Sequence, residues 1–578
     1  MSDAQERRPV YDYVIVGAGS AGCVLADRLS RNPEVSVLVL EHGGNAPWWD
    51  WRVHMPAGLS EPMNGTTYNW DYRTEPEPAL AGRRIHQPRG KVLGGSSAIN
   101  GMAYVRGHAR DYDRWAGDPA LAQWDYAHCL PYFRRAESHD RGADAYHGGE
   151  GPLHTETGRG WSPLYGAWIE AGRQAGYGVT EDMNGERQEG VGPMQMTVHD
   201  GVRWSAYLAY LKPAMTRPNL TVTTRARTTR VLFDGTRAVG VAYRHKGSLH
   251  EAGAARRVIL AGGAINSPQL LMLSGIGDGD HLRAHGLPVV ADLPGVGTNL
   301  QDHLELYVQQ ACTQPVSLYK ALKPLHKAKI GLQWYLFHRG LGATNHFEAG
   351  GFIRSRAEVE HPDLQYHFLP MAIRYDGQAA AEGDGFQAHV GPMRSKSRGS
   401  VSLASPNPLE APIIRGNYMQ YPEDWQEMRA SVRLTREIFA QAAFDPYRGG
   451  EIAPGKDVKT DAEIDAWVAR HAESAYHPSC TCPMGGDPEA GAVVDGTTAV
   501  HGVEGLNVVD SSIFPTIPSG NLNAPTIMVA EKAADLIAGN EPLAPSNAPV
   551  WVCPDWQTQQ REGTPERRTD DKEAFATA

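Results

Sequence analysis

The chain has 578 residues, of which 41% are hydrophobic and 21% charged, as in an ordinary globular protein with two or more domains. Its formal net charge of −11 argues against nucleic acid as a partner, because phosphate binding requires a basic surface. The first ten residues are hydrophilic, no run reaches ~18 apolar residues, and the six cysteines do not suggest a disulfide framework. These features predict a cytoplasmic protein without a transmembrane helix.

The first predicted elements are a strand, a glycine turn, a helix and a second strand. The apolar run Tyr13 to Val16 predicts a buried strand, and the second strand, Val35 to Leu40, ends in Glu41. Between them lies the turn Gly17-Ala18-Gly19-Ser20-Ala21-Gly22, followed by a helical pattern. This order and spacing match the dinucleotide-binding fingerprint, in which Glu41 accepts hydrogen bonds from ribose hydroxyls.

Each residue of the glycine turn has an expected role in cofactor binding. Gly17 permits the tight turn, Gly19 lets a pyrophosphate approach the backbone, and Gly22 lets the helix pack closely on the strand. Ser20 and Ala21 open the helix, whose N-terminus faces the negative phosphates. An incidental glycine-rich loop would not account for the whole arrangement.

The middle of the chain predicts more sheet. Val231 to Val241 predicts a hairpin with Asp234-Gly235 in its turn, and Val258 to Ala264 predicts a buried strand that runs into a glycine turn. From about residue 311 to 474, alternating segments predict an antiparallel sheet flanked by helices, and hence a second domain. The tail after Gly539 has a composition typical of disorder.

Three further segments give the chain a family resemblance. They are a second glycine loop, GKVLGGSSAINGM at 90–102, a third, GAINSPQLLMLSGIG at 263–277, and VVDSSIFPTIPSGNLNAPTIMVAEK at 508–532. With the N-terminal fingerprint they resemble the glucose–methanol–choline (GMC) family of flavin oxidoreductases, over residues 10–540. The segments YNWDYRTEPEP, NHFEAGGFIRSR, LQYHFLP and DWQEMR are similar to those of its choline-oxidising members.

The resemblance implies a mixed α/β fold, with a Rossmann-like FAD-binding domain assembled from several segments and an antiparallel-sheet substrate domain. We expect the FAD-binding domain at 10–155, 220–310 and 475–541, the substrate domain at 156–219 and 311–474, and a disordered tail at 542–578. FAD, not NAD, is the implied cofactor. The residues that the motifs assign to it are Val92, Gly95, Ser96 and Asn100 along the isoalloxazine, Trp70 nearby, a backbone group around Thr228 at the adenine, and Asp510, Ser511, Asn523, Pro525 and Thr526 from the C-terminal side.

The resemblance also bears on how the flavin is attached and reoxidised. Choline oxidases attach FAD through a histidine of the second glycine loop, at the position of Ile99 here, and their nearby serine falls at Gly101. We therefore expect non-covalent FAD and a dehydrogenase that passes electrons to a membrane quinone. Peripheral attachment to the inner face of the membrane rests on the resemblance alone, because the acidic balance predicts no polybasic patch.

The stretch SAYHPSCTCPMGG, at 474–486, allows three interpretations. A metal site at His477, Cys480 and Cys482 lacks a second ligand pair, and a redox pair would have the spacing CxxC rather than CxC. His477 is otherwise a structural core histidine or a catalytic base. The resemblance favours the base, because the family histidine lies in a similar YHP segment, and it makes Asn523 the partner.

This pair suits alcohol oxidation. Hydride leaves a C–H bond more easily while the adjacent hydroxyl loses its proton, and histidine has a pKa suited to taking that proton. His477 is expected to be this base, with Asn523 donating a hydrogen bond to the developing alkoxide. The flavin supplies the redox chemistry.

The implied substrate is choline, oxidised to betaine aldehyde and further to glycine betaine, a product that gives osmoprotection. A trimethylammonium group calls for aromatic faces and a nearby carboxylate. The resemblance assigns the carboxylate to Glu348, and Tyr476, Phe347, Tyr366 and Phe368 are candidate walls. Glu348 as a structural carboxylate, and the aromatics as core residues, are the alternatives.

Two other functions stay open from the sequence. A GMC alcohol dehydrogenase for uncharged primary alcohols would have an apolar pocket and no role for Glu348. Hydroxynitrile lyases and light-driven decarboxylases bind FAD on the same fold without ordinary oxidoreductase activity.

Overall fold

The computed structural model describes residues 8–568. Residues 1–7, which hold most of the hydrophilic start, and 569–578, the end of the predicted tail, lie outside the described residues. Two seven-stranded sheets organise the described part of the chain. Their strands are β1 (Val10–Val16), β2 (Val37–Leu40), β3 (Gly190–Pro193), β4 (Leu220–Thr223), β5 (Ala226–Asp234), β6 (Arg237–His245), β7 (Ser248–Leu260), β8 (Leu304–Cys312), β9 (Ala349–Ile353), β10 (Leu364–Leu369), β11 (Gly385–Pro392), β12 (Arg448–Ala453), β13 (Glu473–Ser474) and β14 (Leu506–Val508).

Shorter strands form small sheets of two or four strands. They are Tyr72–Arg73, His86–Gln87, Ala103–Tyr104, Glu137–His139, Leu153–Thr157, Gln195–Met196, Val198–His199, Val202–Arg203, Ile276–Gly277, Ala291–Asp292, Ser400–Ser402 and Ile413–Arg415.

The helices connect and cover these sheets. They are α1 (Ser20–Leu29), α2 (Trp51–His54), α3 (Ser60–Asn64), α4 (Ala109–Trp115), α5 (Tyr126–Ala136), α6 (Pro163–Gln174), α7 (Lys212–Ala214), α8 (Gly263–Leu273), α9 (Gly279–Ala284), α10 (Pro324–Phe337), α11 (Pro422–Phe439), α12 (Asp461–His471) and α13 (Asn523–Ala538). None of the described helices is long and apolar enough to cross a membrane.

The first sheet has the order β4-β2-β1-β7-β6-β5, with β14 also paired to β7. The strands around β1 are parallel, and Val14 lies opposite Leu38 on one side and Val258 on the other. These strands are continuously apolar because helices cover the sheet, and α1 and α13 share its core. β5 and β6 form the predicted hairpin, with Gly235 at a φ of +59° in its turn.

The second sheet is antiparallel throughout, in the order β12-β8-β11-β10-β9-β3, with β13 also beside β8. Its core includes residues of α6 and α11. The two sheets agree with the expected pair of a Rossmann-like and an antiparallel domain. The expected domain boundary at residue 310 falls inside a strand, since β8 begins at Leu304 and belongs to the second sheet.

The tail differs from the expectation of disorder. Residues 542–568 have no regular helix or strand, but they run along the protein with fixed partners. The Gln559 carbonyl accepts a hydrogen bond from Arg354, Arg561 pairs with Glu437 at 2.5 Å, and the Trp551 ring lies 4.0 Å from the Arg187 guanidinium. Composition suggested disorder because it counts the tail's charges but not the partners that satisfy them.

Candidate active site

A cavity of about 340 Å³ lies where the glycine turns of the first sheet meet β8 and the C-terminal segment. The turn between β1 and α1, the end of β2, the start of β5 and all three glycine loops line it. Twelve of the residues predicted to bind the cofactor are among its walls: Gly17, Gly19, Ser20, Glu41, Trp70, Gly95, Ser96, Asn100, Thr228, Ser511, Asn523 and Thr526.

The walls fit FAD at its dinucleotide end. Gly17 has a φ of +103°, and a Cβ there would lie 2.5 Å from the Ala261 carbonyl oxygen, so only glycine suits the turn. The N-terminus of α1 has no side-chain cap, which leaves its N–H groups to an anion. Thr228 Oγ1 is buried without a partner at the position expected for the adenine. Glu41 holds the turn through the N–H groups of Ala18 and Gly43, at 2.9 and 2.6 Å.

Five residues predicted to bind the cofactor do not reach the cavity: Ala21, Gly22, Val92, Asp510 and Pro525. Gly22 instead has the packing role expected for it, since a Cβ there would lie 1.9 Å from the Gly17 carbonyl oxygen. Val92 is buried in a small apolar cluster. Asp510 lies behind the wall, where it accepts hydrogen bonds from the Gly263 N–H and the Ser267 hydroxyl and so holds the third glycine loop.

Trp70 has neighbours that place it toward Thr228. Its ring stacks on His42, at 4.6 Å between centroids, and the Arg227 guanidinium lies 5.3 Å from it. His42 and Arg227 adjoin Glu41 and Thr228 in the chain. Trp70 therefore lines the cavity beside the residues assigned to the ribose and adenine, whereas the sequence suggested a place by the isoalloxazine.

His477 is held in one tautomer by a chain of hydrogen bonds. His303 Nε2 lies 3.0 Å from the Met393 carbonyl oxygen, which only accepts, so this nitrogen carries the proton. Burial lowers the pKa of His303 to about 4 and keeps it neutral, so its Nδ1 accepts the proton of His477 Nδ1, 3.1 Å away. His477 Nε2 is left with a free lone pair.

Asn521, not Asn523, is the partner of His477. The Asn521 Nδ2 group lies 3.2 Å from His477 Nε2, and Asn521 Oδ1 accepts from Gln365, which fixes the orientation of the amide. The predicted partner, Asn523, is the first residue of α13 and donates to Ser20 Oγ at 2.9 Å. Both asparagines occur in the same motif, and the start of the helix turns the second one toward α1.

The environment of His477 favours its neutral form. Burial, followed by the nearby His303 and the Arg89 guanidinium, lowers its pKa well below the ordinary value. Its backbone N–H donates to Asp302 Oδ1 at 2.8 Å, while the other Asp302 oxygen accepts from Ser474 and Tyr418. The geometry therefore presents an unprotonated imidazole nitrogen beside an amide donor.

Glu305 is a cavity residue that the sequence analysis missed. It lies on β8, and its side chain is 14% exposed. Burial raises its pKa to about 8, and the negative charges of Glu473 and Asp302 add to the effect. The run Gln301-Asp302-His303-Leu304-Glu305, with three titratable side chains at the start of a predicted strand, was the available signal.

Aromatic rings surround Glu305. Tyr307 stacks on His389 at 3.8 Å between centroids, Phe347 meets the same ring edge-on at 5.2 Å, and Tyr476 lines the cavity as predicted. Burial lowers the pKa of His389 well below its ordinary value, so this ring carries no charge. The other candidate walls, Tyr366 and Phe368, are fully buried in the core of the second sheet and do not line the cavity.

Glu348 does not face this cavity, contrary to its predicted role. One carboxylate oxygen accepts from the backbone N–H groups of Arg159 and Gly160, at 2.9 and 2.7 Å, and the other accepts from the Thr344 hydroxyl at 2.6 Å. The side chain lines a different cavity, between residues 156–161 and 333–344. It is the structural carboxylate that was the alternative interpretation.

The two cysteines beside His477 have no features of a metal or redox site. Both are fully buried, and burial raises the pKa of the Cys480 thiol to about 12. A reactive or metal-binding cysteine requires a lowered pKa. Neither thiol lines the cavity.

Glu137, His139 and His147 are the one group with metal-like spacing within residues 8–568. A guanidinium already supplies the positive charge there, since Arg106 lies 2.6 Å from Glu137 Oε2. His147 Nδ1, 2.8 Å from the same oxygen, completes a structural ion cluster.

A Rossmann-type sheet, a dinucleotide-shaped cleft and a histidine base beside it define a dinucleotide-dependent oxidoreductase. The family model GMC oxidoreductase matches residues 11–305 with its N-terminal part and 395–530 with its C-terminal part. The chain belongs to the GMC oxidoreductase family, and FAD is the cofactor that this family implies.

Similar proteins cover almost the whole chain. It is 56% identical over 550 residues to an oxygen-dependent choline dehydrogenase of Brucella suis biovar 1, covering 95% of this chain and 100% of the relative. It is 54% identical to the mitochondrial choline dehydrogenase of Mus musculus, covering 95% and 93%. Among solved structures, pyridoxine 4-oxidase from Mesorbium loti is similar with a TM-score of 0.82 and 32% identity, covering 92% of this chain and 100% of that one.

Proposed function

We propose that the protein oxidises choline to betaine aldehyde with FAD as the hydride acceptor. The observation that carries the proposal is a buried carboxylate, Glu305, in the same aromatic-walled cavity as the base His477. The names of the Brucella suis and Mus musculus relatives support choline as the substrate. In the reaction the alcohol carbon loses a hydrogen with its bonding electron pair, the hydroxyl loses a proton, and the C–O bond becomes C=O.

The proton is taken by His477. A hydroxyl that enters between His477 Nε2 and Asn521 Nδ2, which are 3.2 Å apart, meets an acceptor and a donor. Nε2 accepts the hydroxyl proton, and the amide donates to the alkoxide oxygen as its charge develops. FAD, when bound, supplies a hydride-accepting ring, and Ser96, Asn100 and Ser511 line the part of the cavity predicted to hold it.

The ammonium group is recognised by Glu305 and the rings around it. A quaternary ammonium has no N–H to donate, so it is held by a negative charge and by the faces of aromatic rings. Tyr307, Phe347 and Tyr476 supply such faces. Ionised Glu305 supplies the charge.

We further propose that FAD is bound without a covalent bond. Ile99, at the position of the covalently linked histidine in choline oxidases, lines the cavity with an aliphatic side chain. We also extend the proposal to the hydrated aldehyde, because its hydroxyl, C–H bond and ammonium group present the same features to the same residues.

The electron acceptor stays a prediction. The family resemblance implied a quinone, whereas the printed name of the Brucella suis relative, oxygen-dependent, supports dioxygen. Reoxidation of the reduced flavin by each acceptor separates the two.

Anaerobic reduction of the flavin tests the function. We expect choline to bleach the oxidised flavin absorbance of the purified holoenzyme, and the uncharged isostere 3,3-dimethylbutan-1-ol to do so only at a concentration higher by ~10-fold or more. Bleaching at equal concentrations would assign the protein to uncharged primary alcohols. No bleaching by either would contradict the proposal and favour a lyase, which turns over without reducing its flavin.

A further inference from the structure

Helix α10 exposes most of its large apolar side chains to solvent. Among its residues only Trp334 is buried, at 2% exposure. The exposed ones are Leu325 at 85%, Leu332 at 61%, Tyr335 at 47%, Leu336 at 59% and Phe337 at 66%. Scattered exposed leucines are ordinary on a protein surface, whereas five large apolar residues on one helix form a patch that calls for a partner.

The exposed residues form a stripe on the outward face of the helix. Leu325, Leu332, Tyr335 and Leu336 recur at the i, i+7, i+10 and i+11 spacing of an amphipathic helix. Trp334 lies on the opposite side and anchors the helix, with its indole N–H donating to the Gly201 carbonyl oxygen at 2.7 Å. A stripe of this kind normally faces a core, and here it faces away from the protein.

Three tryptophans extend the stripe. Trp48, Trp49 and Trp51 are 74%, 56% and 42% exposed, and Trp48 stacks on Tyr335 of the helix at 6.3 Å between centroids. Tryptophan is the residue enriched where a protein meets the boundary between lipid and water. We call α10 together with Trp48, Trp49 and Trp51 the α10 surface.

The charge of this region is opposite to that of the chain. Residues 306–347 contain no aspartate or glutamate but five cationic residues, although the chain as a whole has a net charge of −11. The cations are Lys320, Lys323, Lys327, Lys329 and Arg339, and none forms a salt bridge within the described residues. The expectation that the chain has no basic patch is therefore wrong for this region.

We propose that the α10 surface docks the protein on a bilayer that contains anionic lipids. An in-plane helix with an exposed apolar face, flanking lysines and tryptophans has the features of a monotopic membrane anchor. The apolar stripe enters the boundary of the acyl chains, the tryptophans lie at the headgroups, and the unpaired lysines meet the lipid phosphates. A protein partner with an acidic rim is the less favoured occupant, because the side chains protrude from the surface and form no groove.

Vesicle flotation of the full-length holoenzyme tests the proposal. We expect the protein to float with phosphatidylcholine vesicles that contain about one third phosphatidylglycerol, and to bind pure phosphatidylcholine ~10-fold less tightly. The double variant Leu332→Glu/Leu336→Glu should lose ~10-fold or more of its binding to the anionic vesicles. Lys327→Glu/Lys329→Glu should lose most of its preference for them.

The matched control is Leu249→Glu/Leu409→Glu, which charges two leucines that are 62% and 46% exposed elsewhere on the surface. It should float like the wild type. All variants should keep the flavin absorbance and thermal midpoint of the wild type, which reports folding independently of the substrate. Equal flotation of the two leucine variants, or no flotation of the wild type, would overturn the proposal. So would self-association of the vesicle-free wild type that Leu332→Glu/Leu336→Glu abolishes, because the stripe would then be a contact between copies.

Discussion

At the scale of single residues, the protonation of the base is set from a distance. A backbone carbonyl, that of Met393, determines which nitrogen of His303 carries a proton, and this in turn determines the tautomer of His477. His303 does not line the cavity and acts through His477, so it is a positioning residue. The catalytic machinery therefore includes a side chain that no substrate would touch.

The two asparagines of the C-terminal motif give a matched pair for mutation. Asn521→Ala should slow anaerobic flavin reduction by choline ~100-fold, because it removes the donor to the developing alkoxide. Asn523→Ala should leave this rate within ~3-fold and weaken FAD retention, because its amide contacts Ser20 at the start of α1. The rates are measured by stopped-flow absorbance with flavin-saturated enzyme. If Asn523→Ala slowed reduction more than Asn521→Ala, our assignment of the partner would be wrong.

The charge of Glu305 predicts how choline binding depends on pH. Its pKa is raised to about 8, so the group is neutral below this pH and becomes an anion above it. The affinity for choline should therefore rise as the pH increases through about 8, while that for 3,3-dimethylbutan-1-ol stays flat. The pKa of His477 lies well below its ordinary value, so the base stays unprotonated over this range.

Two glutamine variants isolate this effect. Glu305→Gln should bind choline ~10–100-fold more weakly, with no remaining pH dependence near 8. Glu348→Gln, whose carboxylate bonds to backbone N–H groups outside the cavity, should keep both the affinity and the pH profile. The affinities come from titration of the flavin absorbance. A pH profile of Glu305→Gln like that of the wild type would remove Glu305 from cation recognition.

At the scale of elements, the motifs with backbone roles were predictable and the side chains of β8 were not. The glycine turn after β1 and the hairpin of β5 and β6 follow from local chemistry, since only particular residues adopt their φ angles. Glu305 and Glu348 are both glutamates beside buried strands. Which of them faces the cavity depends on how β8 and β9 are placed in the second sheet, and that is a long-range property.

The ordered tail predicts that its buried contacts stabilise the fold. Arg561 is 13% exposed at its side chain, pairs with Glu437, donates to the Ala175 carbonyl oxygen and lies 4.5 Å from the Tyr177 ring. Arg561→Ala should lower the free energy of unfolding by ~1–3 kcal/mol, because it leaves Glu437 without its partner.

The control for this prediction is Arg567→Ala, whose partner Asp445 is 42% exposed. An ion pair in such an exposed position is worth little, so this variant should change the free energy of unfolding by ~0.5 kcal/mol or less. Urea unfolding followed by tryptophan fluorescence measures both. Equal destabilisation would mean that the tail is held by its exposed charges rather than by its buried contacts.

At the scale of the whole molecule, averages over the chain predicted the fold well and the surface poorly. Length, composition and motif order indicated a flavin-binding domain joined to an antiparallel-sheet domain, and the two sheets agree with this. The net charge of −11 concealed a region of 42 residues without one acidic group, because a sum over the chain carries no information on position. The same limit applied to the tail, where the composition was correct and the inference of disorder was not.

The arrangement of β8 has a consequence for how such enzymes diversify. The hydride and proton chemistry depends on His477 and Asn521, in the C-terminal segment, whereas the group that selects a cation stands on a strand of the second sheet. Glu305 and Tyr307 lie two residues apart and point to the same side of β8. Exchanging these two side chains changes which alcohol is admitted without disturbing the base. Substrate range and reaction type are thus inherited on separate parts of the chain, and one can evolve while the other is retained.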